Sequence, residues 1–472
     1  MQNTPTSQTH QSHSADEAPA PITQPGWETA GFVYWTPIEA LKLNPKNPRR
    51  HSKRQIAQLA AAMKKFDFIN PVIIDEDDTV LAGHARIAAA KQLGEGIVKT
   101  IRVDHLNAED KKAYIIAENQ LAALAGWDQE LLREELAGLV EINYEVELTG
   151  FLTVEIDRIL EISPGSAGHS TAREEENTEP QPGPAVSRHG DLWQIGPHRL
   201  LCGNALDLAD YQTLLQGEKA EMIFTDPPYN VEIAGNVCGS GQIKHREFMM
   251  ASGEMSQAEF AQFLEQAFRA MAQHSIDGAV HFICMDWRHI QEITAAGNKA
   301  YTELKNLCIW AKTNGGMGTF YRSRHELVFV YISGNGKPIN NFGLGENGRY
   351  RTNVWEYEGV NSLAHGRREE LKLHPTVKPI GLVADAIRDC SKRKGLILDP
   401  FAGSGTTLLA CHKTGRMARL MELDPLYVDV IIRRQQAITG IEARLASSGK
   451  SFNQVAAERL KEATSTSSSE LD

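Results

Sequence analysis

The sequence predicts an α/β protein: a large carboxy-terminal domain built on a mostly parallel, mixed sheet, preceded by a small α/β domain. Three observations predict it. Between residues 190 and 445, short and almost wholly apolar runs alternate with helix-patterned stretches, as in strands covered on both faces. Before residue 160 lies a compact pattern that includes a strand, a turn and an alanine-rich helix. Between the two lies SPGSAGHSTAREEENTEPQPGPAVS (163–187), whose Pro, Gly, Ser and Glu content is that of a flexible linker.

Taken in order, residues 1–28 are polar and proline-bearing, which predicts disorder; MQNTPTSQTHQSHS has neither the basic start nor the apolar core of a secretory signal. Residues 29–160 form the small domain. IAQLAAAMKKF (56–66) has helical spacing, PVIID (71–75) is a strand, and TVLAGHARIAAAKQLG (79–94) is strand, turn and a helix closed by Gly94. KKAYIIAENQLA and ELLREELAGL add helices, and the linker occupies 161–189. In the second domain, 190–445, the strands are MIFTD (222–226), AVHFICM (279–285), LCIWAK (307–312), ELVFVYI (326–332), GLILD (395–399) and ARLMELD (418–424). Helices include FAQFLEQAFRAM (260–271) and GLVADAIRDCS (381–391); residues 446–472 are a helical end and polar tail.

The bulk numbers narrow the function. A chain of 472 residues accommodates two or three domains. No apolar run approaches the roughly 20 residues of a membrane helix, so no membrane partner is expected. Six cysteines without a CxxC pair predict buried free thiols in a reducing cytoplasm rather than zinc or disulfides. A formal charge of -11 argues against a protein that merely coats nucleic acid, yet LKLNPKNPRRHSKR (41–54) carries six Lys or Arg and no acid, a local footprint for an anion.

LILDPFAGSGTTLLACHKTG reads as strand, glycine turn and helix. Gly403 and Gly405 allow close approach, and the helix starting near Thr406 offers unpaired N–H groups. Glu422, 17 residues beyond Gly405, ends the next strand, where sheets of this kind hold ribose hydroxyls. No lysine follows Gly405, against a triphosphate loop, and Leu408 stands where a dinucleotide fingerprint wants a third small residue. The combination allows a nucleoside cofactor whose tail is not a phosphate, such as S-adenosyl-L-methionine.

MIFTDPPYN delivers Asp226 to the carboxyl end of a strand, and Pro227 and Pro228 force an extended turn. The prolines keep their carbonyls and donate nothing, so a planar amine can give one N–H to the carboxylate and one to a main-chain oxygen. Such acceptors favour transfer to an exocyclic amino group by stabilising the charge that develops on nitrogen. Tyr229 supplies an aromatic face for a base swung out of a duplex. Methylation of a cytosine ring carbon wants a cysteine nucleophile, and no Pro-Cys pair exists in the chain.

On DPPY and FAGSGTT, residues 190–435 resemble the amino-group DNA methyltransferases, in the subgroup whose catalytic tetrapeptide precedes the cofactor turn. The resemblance implies a Rossmann-like fold, double-stranded DNA as substrate, Asp226 to Tyr229 as catalytic motif, and a cofactor site of Asp399, Phe401, Gly403, Ser404, Gly405, Thr406, Glu422 and Asp424. HPTVKP (374–379) is similar to the family's further cofactor segment, implying His374, Thr376 and Lys378. DWRH (286–289), WAKTNGGMG (310–318) and RSRHELVFVY (322–331) are similar to family blocks beside the pocket. LCGNALD has Asn204 where the family commonly has an acid on the cofactor adenine, and Asn204 is expected to make that contact. The recognition segment would fall at 333–373, with Arg349, Arg351, Arg367 and Arg368 on DNA. Asp at the first motif position is commoner in the family for adenine than for cytosine, so adenine is the expected base; the alternatives are the cytosine amino group, or a DNA-binding or nucleotide-switch protein whose methyltransferase domain is inactive.

NPRRHS (47–52) and GHARIAAAKQLG (83–94) resemble the nuclease-like domain of chromosome-partition ParB proteins. That implies Gly83, His84 and Arg86 on a nucleotide phosphate; a DNA phosphate suits the same turn before a helix equally, and Lys46, Arg49 and Arg50 are expected on DNA. No partition-type helix-turn-helix follows in the pattern. Chains joining these two domains resemble phage or prophage modification enzymes; a homodimer is compatible with the sequence.

Overall fold

The computed structural model describes residues 32–142, 144–161, 183–231, 250–312, 320–343, 351–357 and 378–469. They divide into two compact units: Met1–Asp128 with Glu145–Gly150, and Gln129–Tyr144 with Phe151–Asp472.

In the first unit, β1 (Val33–Pro37), β2 (Val72–Ile74), β3 (Val80–Ala82) and β4 (Ile97–Arg102) make a sheet of order β1-β4-β2-β3, with β2 parallel to β4 and the other pairs antiparallel. Helix α1 (Lys53–Phe66) starts where the Ser52 hydroxyl accepts the Gln55 N–H at 3.1 Å. Helix α2 (His84–Leu93) runs between Gly83 and Gly94, both left-handed, as the glycine-bounded pattern predicts. Ile38, Val72, Ile74, Val80, Ile87 and Val98 form the core. Helix α3 (Ala108–Leu124), capped by Asn107, follows.

Helices α4 (Gln129–Glu141) and α5 (Thr153–Glu161) belong to the second unit, so the expected boundary near 160 is redrawn. The physical reason is Asp157, 4 % exposed, whose carboxylate meets Arg393 at 2.8 Å and Arg416 at 2.9 Å. A buried acid cannot be parted from its cations cheaply.

The second unit contains a ten-stranded sheet of order β11-β9-β10-β8-β7-β12-β13-β6-β5-β14. In chain order the strands are β5 (Leu192–Ile195), β6 (His198–Cys202), β7 (Ala220–Thr225), β8 (Ser275–Met285), β9 (Glu303–Ala311), β10 (His325–Ser333), β11 (Val354–Glu356), β12 (Leu396–Asp399), β13 (Met417–Glu422) and β14 (Ala443–Leu445). The five central strands, β8-β7-β12-β13-β6, are mutually parallel; β10, β5 and β14 introduce antiparallel pairs. The sheet is therefore mixed and parallel at its centre, as expected.

Apolar runs are nearly continuous because both faces are covered. Met222 and Phe224 of β7 enter one core and Ile223 the other; Ile397 and Leu398 of β12 divide likewise. Helices α6 (Leu208–Leu215), α7 (Gln257–Gln273) and α8 (Ile290–Ala300) pack on one face, and α9 (Ile380–Cys390), α10 (Thr406–Thr414) and α11 (Pro425–Thr439) on the other. Ser256 and Glu259 close a reciprocal capping box on α7. Helix α12 (Phe452–Ser469) ends the described chain. Among the described residues no helix is long and apolar enough to cross a membrane.

Candidate active site

β7 and β12 are parallel neighbours, with Met222 opposite Ile397 and Ile223 opposite Leu398. Asp226 and the Asp399 turn consequently emerge side by side from one edge of the sheet. The Thr225 hydroxyl crosses between them and donates to Asp399 Oδ1 at 2.8 Å; Thr407 donates to Oδ2 at 2.6 Å, and the Phe401 N–H reaches Oδ1 at 3.2 Å. Asp399 is 3 % exposed, and burial pushes its carboxyl up to about 6 against these donors.

One cleft is lined by both motifs. Asp226, Pro227, Pro228 and Tyr229 form one wall; Asp399, Phe401, Gly403, Ser404, Thr406, Glu422 and Asp424 form the other, with Phe224, Lys378 and Tyr427 between. Glu422 ends β13 and accepts the Gly403 N–H at 2.8 Å through Oε2 and the Asp424 N–H at 2.9 Å through Oε1. Burial outweighs these bonds and pushes Glu422 up to about 7. Asp424 also caps α11 through the Leu426 N–H at 3.0 Å, ahead of Pro425. Among the described lining residues Lys378 is the only cation, against four carboxylates. That balance disfavours a phosphate and suits a cofactor that carries a positive charge and a ribose diol.

The two glycines of the turn divide their work. Gly403 has φ +52 and an added Cβ would meet open space in the cleft, whereas at Gly405, φ +83, it would lie 2.9 Å from Ile431 of α11. Gly403 leaves room for a ligand. Gly405 does not line the cleft; its expected cofactor contact is corrected to close helix packing. Ser404 lines the cleft while its carbonyl accepts Arg434 Nη1 at 3.0 Å.

The catalytic wall holds a row of charges. Tyr229 donates its hydroxyl to Asp226 Oδ1 at 2.5 Å, and Lys378 Nζ stands 2.5 Å from Oδ2. The same ammonium is 2.9 Å from Glu326 of β10, which also pairs with Lys312. Burial, opposed by Lys378 and assisted by Glu326, keeps Asp226 above the ordinary carboxylate range.

Three further expectations change. Lys378, assigned to the cofactor, is spent on the catalytic acid, because Asp226 and Glu326 both lie within reach of its ammonium. The Asn204 side chain is turned into its own loop, accepting the Leu206 N–H at 3.0 Å, and Ala205 lines the cleft instead. Arg351, proposed for DNA, pairs with Asp389 at 2.8 Å and Asp385 at 3.3 Å and lies over Trp355, which engages it inside the domain. His374, Thr376, Arg349, Arg367 and Arg368 lie outside the described residues.

In the first unit, the chain just before the NPRRHS block meets the second ParB-like block at His84. The Asn44 N–H donates to His84 Nε2 at 3.3 Å, and burial, with His51 nearby, lowers the His84 pKa. Arg86 donates to the Pro71 carbonyl at 3.3 Å beside Gly83, φ +103. Lys46, Arg49 and Arg50 are exposed on the adjoining loop.

Comparison with known proteins assigns residues 220–433 to the family described as DNA methylase, 28–120 to the ParB N-terminal domain, and 130–189 to the ParB-methyltransferase HTH domain. The last spans α4 and α5, where the expectation was of no partition-type helix-turn-helix; ELLREELAGL declares a helix there but not the motif to which it belongs. The chain is 38 % identical over 90 residues to the type II methyltransferase M.ScaI of Streptomyces caespitosus, covering 19 % of this chain and 30 % of that protein. It is 26 % identical over 256 residues to M.HpaI of Haemophilus parainfluenzae, covering 50 % and 73 %. It is 38 % identical over 80 residues to the ParB-like nuclease domain-containing protein YnaK of Escherichia coli, covering 17 % of this chain and 92 % of that one. By its amino-terminal part the chain belongs to the ParB-like nuclease domain family, and behind that part it carries an S-adenosyl-L-methionine-dependent DNA methyltransferase domain of the amino-group class.

Proposed function

We propose that this chain methylates the exocyclic amino group of adenine at particular sites in double-stranded DNA, after the base has been swung into the cleft beside Tyr229. The observation that carries the reading is the emergence of Asp226 and the Gly403 turn from adjacent parallel strands into one cleft. Bound S-adenosyl-L-methionine supplies a methyl group on a positive sulfonium: the new carbon–nitrogen bond forms as the carbon–sulfur bond breaks, leaving a neutral thioether. The protein's residues do the rest. Glu422 accepts hydroxyls of a ribose, and the Gly403 N–H fixes that carboxylate in place. Asp226 accepts one N–H of the amine, the main-chain oxygen beside it accepts the other, and both stabilise the charge that grows on nitrogen before its proton leaves. Tyr229 orients Asp226 through its hydroxyl and offers its ring to the base. Asp in the first motif position favours adenine, through the family resemblance.

Around the ParB-like turn the reading is of an anion contact, a nucleotide or a DNA phosphate, at Gly83, His84 and Arg86, with Lys46, Arg49 and Arg50 on the DNA backbone. The decisive experiment expresses the full chain, digests the host DNA to nucleosides and compares it with an Asp226→Ala control. N6-methyladenine should appear with the unaltered chain and fall by about 1,000-fold in the control; N4-methylcytosine in its place would move the reading to the other base, and methylation persisting in the control would refute it.

A further inference from the structure

We propose that Lys378 and Glu326 are positioning residues for the methyl transfer: Lys378 holds the counter-charge of Asp226, and Glu326 draws that ammonium aside so that the carboxylate remains a strong acceptor. The inference rests on the amino-methylation reading above and names two residues that act through Asp226 without touching the reacting atoms.

The geometry is a row of alternating charges, Asp226, Lys378, Glu326 and Lys312, running from the cleft along the ends of β7, β10 and β9. Three oxygens surround the Lys378 ammonium: Asp226 Oδ2 at 2.5 Å, Glu326 Oε2 at 2.9 Å and the Tyr229 hydroxyl at 3.4 Å. Asp226 Oδ2 and the Tyr229 hydroxyl accept hydrogen bonds from it, whereas Glu326 Oε2 meets it as an ion pair alone. The side chain is 5 % exposed and lies near the Tyr229 and Trp310 rings, 5.8 and 5.9 Å from their centres.

Each neighbour has a definite consequence. Without a cation, Asp226 would sit at the cleft beside Glu326 and Asp399 as one of several partly buried acids, and like charges so placed cannot all ionise. A protonated Asp226 loses most of its power to accept from an amine. With a cation shared by no other acid, the carboxylate would be neutralised where positive charge must develop. Glu326 takes part of the ammonium's field, and Lys312 in turn balances Glu326. The other titratable groups facing Asp226 are the Tyr229 hydroxyl, held protonated by burial, Asp399 from β12, and the Cys284 thiol of β8, whose pKa burial also drives far up.

The test uses the full-length protein with Lys378→Met, Lys378→Arg and Glu326→Gln, read by single-turnover methyl transfer across pH, by cofactor affinity at equilibrium, and by carboxyl-carbon resonance titration of Asp226. Lys378→Met should lower transfer about 100-fold at neutral pH, regain activity as pH rises, and leave cofactor affinity within about threefold. Glu326→Gln should lower transfer about tenfold with KM for DNA unchanged, and its acid limb should move the opposite way, to lower pH. Lys378→Arg should restore most of the lost transfer. The Asp226 titration should move up in the first variant and down in the second. Unmoved titrations, or a cofactor affinity that falls in step with activity in Lys378→Met, would overturn the inference. Displaced titrations in a protein that transfers no methyl group would sink the amino-methylation reading and leave the charge relation intact.

Discussion

Glu422 lines the cleft and Glu326 is joined to it only through Lys378, and the difference between the two acids is instructive. Burial raises both. Glu422 is met by two neutral main-chain N–H groups and ends at about 7, whereas Glu326 is met by Lys378 and Lys312 and is pulled down to about 2. Neutral donors orient a buried acid without deciding its charge; a buried ammonium decides it. Glu422 is thus left titratable and Glu326 is fixed in its ionic form by two ammonium groups, while Asp226, which shares only one of them, stays above the ordinary carboxylate range.

This contrast is breakable by pH. Glu326, lowered from an unfolded value near 4.5, contributes stability that is present above that value and lost as pH falls through about 2. Glu422, raised from the same reference, contributes stability present below about 4.5 and lost as pH rises through about 7. Glu326→Gln should therefore cost about 3 kcal/mol at neutral pH and flatten the acid side of a Tm-against-pH curve. Glu422→Gln should flatten the side between about pH 4.5 and about 7 and weaken cofactor binding at and above neutrality. Calorimetry across pH on both variants checks the signs, and curves that move together would erase the distinction between the two acids.

A second test sharpens the same comparison within the cofactor wall. Both turn glycines have positive φ, so alanine at either is strained by about 1 kcal/mol. Gly405→Ala adds the collision with Ile431, for a total near 3 kcal/mol. Gly403→Ala should lose less stability and more cofactor affinity, since its methyl enters the cleft. Denaturant melts paired with cofactor titration separate the two outcomes.

The smallest effect is expected in the first unit. Replacing Lys46, Arg49 and Arg50 together by alanine should weaken DNA binding and reduce its salt slope by about 3, with the single-turnover rate at saturating DNA unchanged. A binding isotherm repeated over salt concentration reads it, and an unaltered slope would remove the loop from the DNA interface.

The central strands were legible because each is buried on two faces, and GLILD or MIFTD can hardly be anything else. The hairpin of β5 and β6 was not: its strands are short, and LCGNALD begins with the last two residues of β6, where its family resemblance hides the strand. The edge strand β1 escaped because all its residues are exposed or half-buried, so it has no apolar alternation to read. Motif residues with local chemistry, Asp226, Gly403 and Glu422, could be placed from strand ends alone. Glu326 could not, since its role exists only through Lys378, 52 positions away in the chain and one ion pair away in space. Arg351 failed for a related reason: a basic residue in an irregular stretch gives no sign of the acids that a later helix will bring to it.

Because β7 and β12 share a ladder of main-chain hydrogen bonds, the Asp226 end and the Asp399 turn are held one strand spacing apart, about 4.8 Å. Segments joined to the other strands can lengthen, shorten or exchange residues without recalibrating that ruler.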